Sequence, residues 1–167
     1  MNPIIIIDYI GHYGPPILFL LTFYSLLHRN IYMFVFLFGS LINCWMNMSL
    51  KQIFREPRPQ NPITFIDSND MIGNNYYGLP SGHAQSVFFS LTFFYKVIQP
   101  AYNSNTIFIL YIMSCICILT LYQRWKYRRH TIKQLLFGAV VGIFFAWTLV
   151  FITKTYLHSY KQIFLDI

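Results

Sequence analysis

Charged residues are spaced along this chain so that five long windows contain none. No Asp, Glu, Lys or Arg occurs from Tyr9 to His28, Asn30 to Leu50, Met71 to Tyr95, Val97 to Gln123, or Gln134 to Thr153. A helix needs about 20 mostly apolar residues to cross the hydrocarbon core of a bilayer, and every window is long enough. The windows predict five helices, over about 10–27, 31–50, 82–98, 105–122 and 134–156. Pro15-Pro16 splits the first and leaves only a short apolar stretch after it. The Ile4–Ile7 run before it is too short to span and reads as an interfacial segment. It lacks the basic start and small-residue cleavage site of a signal peptide. The expected fold class is all-α: a polytopic membrane helix bundle of about five spanning helices, or six if an N-terminal segment re-enters. No internal repeat and no second domain is visible.

Composition supports the bilayer as solvent. Of 167 residues, 56% are hydrophobic and 10% are charged, against about 25% charged in an ordinary soluble domain. Mean hydropathy is +0.46. Roughly a third of the unfolded chain's area stays exposed after folding at this size, so a soluble domain could not hide that much apolar surface. Disorder is excluded because disordered chains are poor in the Phe, Tyr and Ile abundant here. Cys44, Cys115 and Cys117 lie in apolar runs. With an odd number and no Cys-x-x-Cys pair, neither a disulfide framework nor a zinc site is supported, so they are expected as packing residues.

The remaining charge is lopsided, with 12 Lys+Arg against 5 Asp+Glu. Basic residues flank membrane spans and adhere to anionic headgroups, so an excess alone says little. Placement says more. Eight of the twelve cations lie in two connections, Lys51–Pro80 and Arg124–Lys133. Alternating spans put both connections on one face of the membrane, where a shared site can form. Nucleic-acid binding is a poor use of this charge, because no basic stripe lies on a soluble surface.

The first connection begins Lys51-Gln52-Ile53-Phe54-Arg55-Glu56-Pro57-Arg58-Pro59 and ends Pro80-Ser81-Gly82-His83 as the third helix opens. The second reads Arg124-Trp125-Lys126-Tyr127-Arg128-Arg129-His130, with Gln134 one turn later. Lys51, Arg58 and Arg124 can neutralise phosphoryl oxygens, the arginines with a two-pronged guanidinium. Gly82 permits close backbone approach, and free amides at a helix start form an anion site to which Ser81 adds a hydroxyl. His83 and His130 are the two candidates for nucleophile and proton donor. Each fragment alone has an ordinary explanation: topology charges, a helix cap, a polar core histidine. Their conjunction, in order and on one face, does not.

The pattern Lys51-x6-Arg58-Pro59, Pro80-Ser81-Gly82-His83 and Arg124-x5-His130 resembles the tripartite signature of the type 2 phosphatidic acid phosphatase superfamily, whose site is shared with vanadium haloperoxidases. The resemblance implies one integral-membrane phosphatase domain over residues 1–167, without metal or other cofactor, whose partners are a lipid phosphate or diphosphate and the bilayer. It implies His130 as the nucleophile forming a phosphohistidine and His83 as the acid protonating the leaving oxygen. Lys51, Arg58, Ser81, Gly82 and Arg124 would hold the phosphoryl group. Two positions depart from the common pattern: Gln123 stands where Ser precedes the Arg, and Gln134 where an Asp orients the nucleophile. A neutral amide at 134 can still accept the ring N–H bond, but it stabilises imidazolium less.

Around these positions, Tyr77-Gly78-Leu79-Pro80-Ser81-Gly82-His83-Ala84-Gln85 and His130-Thr131-x2-Gln134 with Gly138 are similar to dolichyl diphosphatases, which carry Gln at the same place. That branch implies hydrolysis of a polyprenyl diphosphate to the monophosphate and a multi-pass location in the endoplasmic reticulum membrane. The alternatives are phosphatidate, undecaprenyl diphosphate, or an inactive lipid-phosphate binder. Asn43 and Asn47, spaced i, i+4, are expected to hydrogen-bond between helices. Trp125 and Tyr127 are expected as interfacial anchors, Asp67 and Asp70 as solvated loop residues, and Arg128 and Arg129 at a second phosphate or at headgroups. Without Lys51, Arg58 and Arg124, five cations face four across the membrane, which sets no orientation. Nothing in the pattern sets an oligomeric state.

Overall fold

The computed structural model describes residues 3–65, 76–98 and 103–165. Asp67 and Asp70 lie outside the described residues. Six helices follow one another: α1 (Pro3–His12), α2 (Gly14–Ser25), α3 (Asn30–Phe54), α4 (Gly82–Ile98), α5 (Ser104–Lys126) and α6 (Ile132–Leu165). The four expected helices from residue 31 onward fall inside α3 to α6. Asn103 starts α5 by accepting the Thr106 amide at 2.9 Å, which satisfies one of the orphan donors of a first turn. Three stretches, Asn30–Phe54, Ser104–Lys126 and Ile132–Leu157, are each long and apolar enough to cross a membrane. Their outward faces carry Phe34, Phe38, Trp45, Phe108, Tyr111, Val140 and Phe144, all exposed. Side chains of that kind suit lipid, and the molecule is an all-α membrane helix bundle.

The N-terminal region differs from the single helix expected over 10–27. The chain bends by 62° between Ile5–His12 and Gly14–Ser25, and the pair passes as a span only when taken together. The break is at Tyr13, not at the prolines. Pro15 and Pro16 sit in the first turn of α2, where an N–H would lack a helical partner anyway, so they start a helix instead of splitting one. α1 packs on α5. Its buried Asp8 accepts from Lys126 Nζ at 2.6 and 2.9 Å and from Tyr127 Oη at 2.8 Å. Tyr127 thus anchors α1, and Trp125 is exposed.

At 17 residues, or about 25 Å, α4 is short for a span. It is the helix the others enclose, packing on α2, α3, α5 and α6. One side of it, with Val87, Phe94 and Ile98, meets Leu18 of α2 and Met113 and Cys117 of α5. The other side, with Phe89, Phe93 and Val97, meets Phe36 of α3 and Ala146 and Val150 of α6. All three cysteines are free, but only Cys117 is the buried packing residue expected; Cys115 is half-buried and Cys44 exposed.

Polar contacts fix how α4 sits. Asn47 of α3 donates to Gln85 Oε1 at 2.7 Å, and Gln85 donates to the carbonyl and side-chain oxygens of Asn43, both at 2.9 Å. The expected interhelical role of the two asparagines holds. On the far side, α6 turns glycine toward the α4 backbone. A Cβ on Gly138 would stand 2.5 Å from the Ser81 carbonyl oxygen, and one on Gly142 would overlap that of Gln85. Small residues four apart let two membrane helices touch at backbone distance, and Ala146 continues the stripe, fully buried. The first turns of α4 and α6 are therefore held together at the end of the bundle where α3 and α5 finish.

Candidate active site

Lys51 lies in the last turn of α3, buried to 5% exposure although charged. The helix stops at Arg55, whose φ of 49° is left-handed while its amide still reaches the Lys51 carbonyl at 3.0 Å. That residue turns the chain back across the bundle end, giving Glu56-Pro57-Arg58. The segment is stapled to the approach to α4 by a Pro57–Tyr77 bridge and by the Gly78 amide donating to the Glu56 carbonyl at 2.7 Å. The Leu79–Pro80 peptide, just before Ser81, is cis. On the opposite side, Arg124 is 2% exposed in the last turn of α5. The chain then turns at Arg128, also left-handed at φ 51°. The amides of Arg129 and His130 fold back to the Arg124 carbonyl, at 2.9 and 3.4 Å.

These turns bring the three fragments around one pocket of about 340 Å³. Its walls are Lys51, Arg58, Gly82, His83, Arg124 and His130, and it continues down α3 past Asn47, Met48 and Cys44. Among the described residues, three cations, two histidines and no carboxylate line it. The first turn of α4 opens onto it at Gly82 and His83, adding backbone N–H groups at the positive end of a helix. Buried N–H groups of Arg58 (Nε, Nη1) and Arg124 (Nε) find no acceptor among the described residues, while other contacts hold both side chains. A tetrahedral anion supplies several acceptors at once, and chemistry of that class suits these walls.

His130 is 2% exposed, and its Nδ1 lies 3.0 Å from the Gly78 carbonyl oxygen. A carbonyl can only accept, so the bond assigns the proton to Nδ1 and leaves the Nε2 lone pair unprotonated. Burial holds the ring well below the ordinary histidine value of 6.5, and the positive charges of Arg58, Arg124, His83 and Lys51 push in the same direction. Its neutral form is favoured, with Nε2 carrying the free lone pair.

Two expected site residues do not line the pocket. Ser81 is fully buried beneath it, its hydroxyl 3.5 Å from the Ala84 amide as a helix cap and its own amide bonded to the Gln134 carbonyl at 3.1 Å. Gln134 does not take the expected ring N–H bond of His130, because the Gly78 carbonyl occupies that place. Its amide instead joins Glu56, Pro57 and Thr131 behind the histidine. Arg129 is buried, whereas Arg128 is exposed beside an open cleft of about 620 Å³ on His130's other flank.

Sequence reasoning missed three contributors. The Gly78 carbonyl left no trace, since every residue has one. Glu56 was visible inside the first fragment, but nothing indicated that its chain would fold onto Gln134. His12 of α1 lies with its ring centroid 6.0 Å from that of His83, a proximity that only the bend before α2 creates.

Comparison with known proteins agrees with the geometry. Dolichyldiphosphatase 1 of Homo sapiens is 27% identical over 140 residues, covering 76% of this chain and 56% of that protein. The protein of the same name from Mus musculus is 28% identical over 152 residues, 83% of this chain and 61% of its own. The chain thus spans somewhat over half the length of the curated relatives it matches. No solved structure matches it. The model of the PAP2 superfamily matches residues 18–157, which takes in all three fragments and every wall of the pocket. This chain is a member of the PAP2 superfamily.

Proposed function

We propose that this chain is a metal-independent lipid phosphatase that removes the terminal phosphate of a polyprenyl, dolichyl-type diphosphate. One observation carries the proposal: Lys51, Arg58 and Arg124 converge with His83 and an oriented, neutral His130 on a single pocket at one end of a membrane bundle. The relatives named dolichyldiphosphatase support the substrate class and, with it, the endoplasmic reticulum membrane as location.

The catalytic residues are His130 and His83. Nε2 of His130 attacks the terminal phosphorus, forming a P–N bond as the bridging P–O bond breaks. Protonated His83 gives its proton to the departing lipid monophosphate oxygen. The three cations and the first amides of α4 offset charge on the equatorial oxygens, the role in which fixed donors contribute most to catalysis. His83, now a base, takes a proton from water, whose oxygen attacks phosphorus. The P–N bond breaks, and inorganic phosphate and free His130 are released.

The test is phosphate release from dolichyl diphosphate, phosphatidate and undecaprenyl diphosphate by purified wild type and His130→Ala. Wild type should prefer dolichyl diphosphate and retain turnover in EDTA, and His130→Ala should release nothing while still inserting in membranes. Unchanged turnover in His130→Ala overturns the assignment. A preference for phosphatidate moves the substrate but keeps the chemistry.

A further inference from the structure

We propose that Gln134 and Glu56 are positioning residues for His130, acting through the carbonyl of Gly78; the inference rests on His130 being the nucleophile. The ring's bond runs from Nδ1 to that carbonyl at 3.0 Å, so the attacking nitrogen points where Gly78 directs it. Gly78 is held from two sides. Its amide donates to the Glu56 carbonyl at 2.7 Å. Its α-carbon lies against the Gln134 amide so closely that a Cβ would come within 2.5–2.6 Å of Oε1, Cδ and Nε2.

Gln134 cannot yield, because it is fully buried and its amide is committed. Nε2 donates to Glu56 Oε1 at 3.0 Å and to the Pro57 carbonyl at 2.8 Å, which uses both of its protons. Oε1 accepts the Thr131 amide at 3.1 Å, one residue from His130. Lys133 closes the clasp by donating to Glu56 Oε2 at 2.7 Å. The Glu56 carboxyl is held below the ordinary carboxylate range, first by that bond and also by the one from Gln134, so it stays an acceptor.

The donor count explains why an amide, not a carboxylate, stands at 134. Both partners of Nε2 are acceptors. A carboxylate there would set oxygen against oxygen twice, once against a charged group, and leave the Glu56 and Pro57 oxygens without their donor. Gly78, freed on that side, would carry the imidazole with it. If residue 134 instead acted by touching the ring directly, an acidic side chain would serve as well or better. The two ideas predict opposite signs for one substitution.

The experiment uses the purified full chain in detergent micelles: wild type, Gln134→Glu, the exchange Glu56→Gln/Gln134→Glu, and Glu56→Ala. It reads kcat and KM on dolichyl diphosphate and the inhibition constant of inorganic phosphate. A displacement near 1 Å at a reacting group costs on the order of 100-fold. Gln134→Glu should lose about that in kcat while inhibition by phosphate is retained. The exchange should recover part of the loss, because the amide moved to position 56 then donates to the carboxylate moved to position 134, while the Pro57 carbonyl still lacks its donor. Glu56→Ala, altered at a partly exposed residue, keeps the test alive if Gln134→Glu does not fold. Its kcat should fall several-fold or more, with phosphate inhibition unchanged. Wild-type or higher kcat in Gln134→Glu, or unchanged kcat in Glu56→Ala, overturns this inference alone. A wild type that releases no phosphate, or a His130→Ala that releases it as fast, overturns the phosphatase reading and this inference with it.

Discussion

Replacing Gly138 by alanine introduces one methyl where α6 meets the start of α4. The new Cβ would stand 2.5 Å from the Ser81 carbonyl oxygen, 3.2 Å from its nitrogen and 3.3 Å from the Ala84 Cβ. The carbonyl cannot swing away, because it accepts the Gln85 amide at 3.0 Å in the first turn of α4. Relief to an ordinary contact of 3.4 Å therefore moves one helix start from the other by about 0.9 Å. Two effects of opposite sign compete. Alanine gains about 1 kcal/mol over glycine in a helix interior. Overpacking a site that cannot relax costs about 1–3 kcal/mol, and the Ser81–Gln134 bond at 3.1 Å is lost with it. The upper end applies where backbone is the obstacle, so the net is about 2 kcal/mol of destabilisation. For a chain of this size that is a fall in Tm of roughly 4–8 °C. Because Gly82 and His83 ride on α4 and His130 precedes α6, phosphate release should fall on the order of 100-fold. Thermal unfolding in detergent and phosphate release on one preparation check both numbers. A Gly138→Ala protein that melts and turns over like wild type would refute the reasoning, since it would mean that α4 and α6 do not meet at backbone distance.

Three further outcomes follow, two at His130 and one at the α1 anchor. In the proposed mechanism His130 must be neutral to attack, and its value is lowered below 6.5 by burial and the surrounding cations, so the acid limb of kcat/KM should fall below pH 6.5; a limb centred at or above 6.5 contradicts that mechanism. The sign for stability is the same: the unfolded ring takes a proton near 6.5 while the folded one resists, so stability declines as pH drops below that value. Asp8→Ala removes the acceptor of Lys126 and Tyr127 and with it the polar tie between α1 and the end of α5. Hydrogen exchange should then rise in α1 while α3 to α6 keep their protection, and unchanged exchange in α1 would show that the anchor does not hold it.

Much of the bundle was legible because charge is costly in lipid. Residues such as Arg29, Lys51, Lys96 and Arg124 could only fall near helix ends, so the gaps between them mark α3 to α6. The bend at Tyr13 was not legible. Pro15-Pro16 can break a helix or begin one, and the choice depends on α1 finding a partner in α5, including the pair between Asp8 and Lys126 across 118 positions. The walls of the pocket could be read from residue type, since Lys51, Arg58, Arg124 and the two histidines carry their chemistry in their side chains. Who orients His130 could not. That task falls to the Gly78 carbonyl, a group identical in every residue, placed by Gln134 and by a segment 77 to 78 positions before it. The bilayer as solvent, the helices and the cations and histidines of the pocket were set by residue identities alone, because hydropathy and charge belong to single residues. Which atom meets the ring of His130, and what the amide at position 134 donates to, emerged only once the chain was folded. A hydrogen bond's direction depends on where donor and acceptor meet in space.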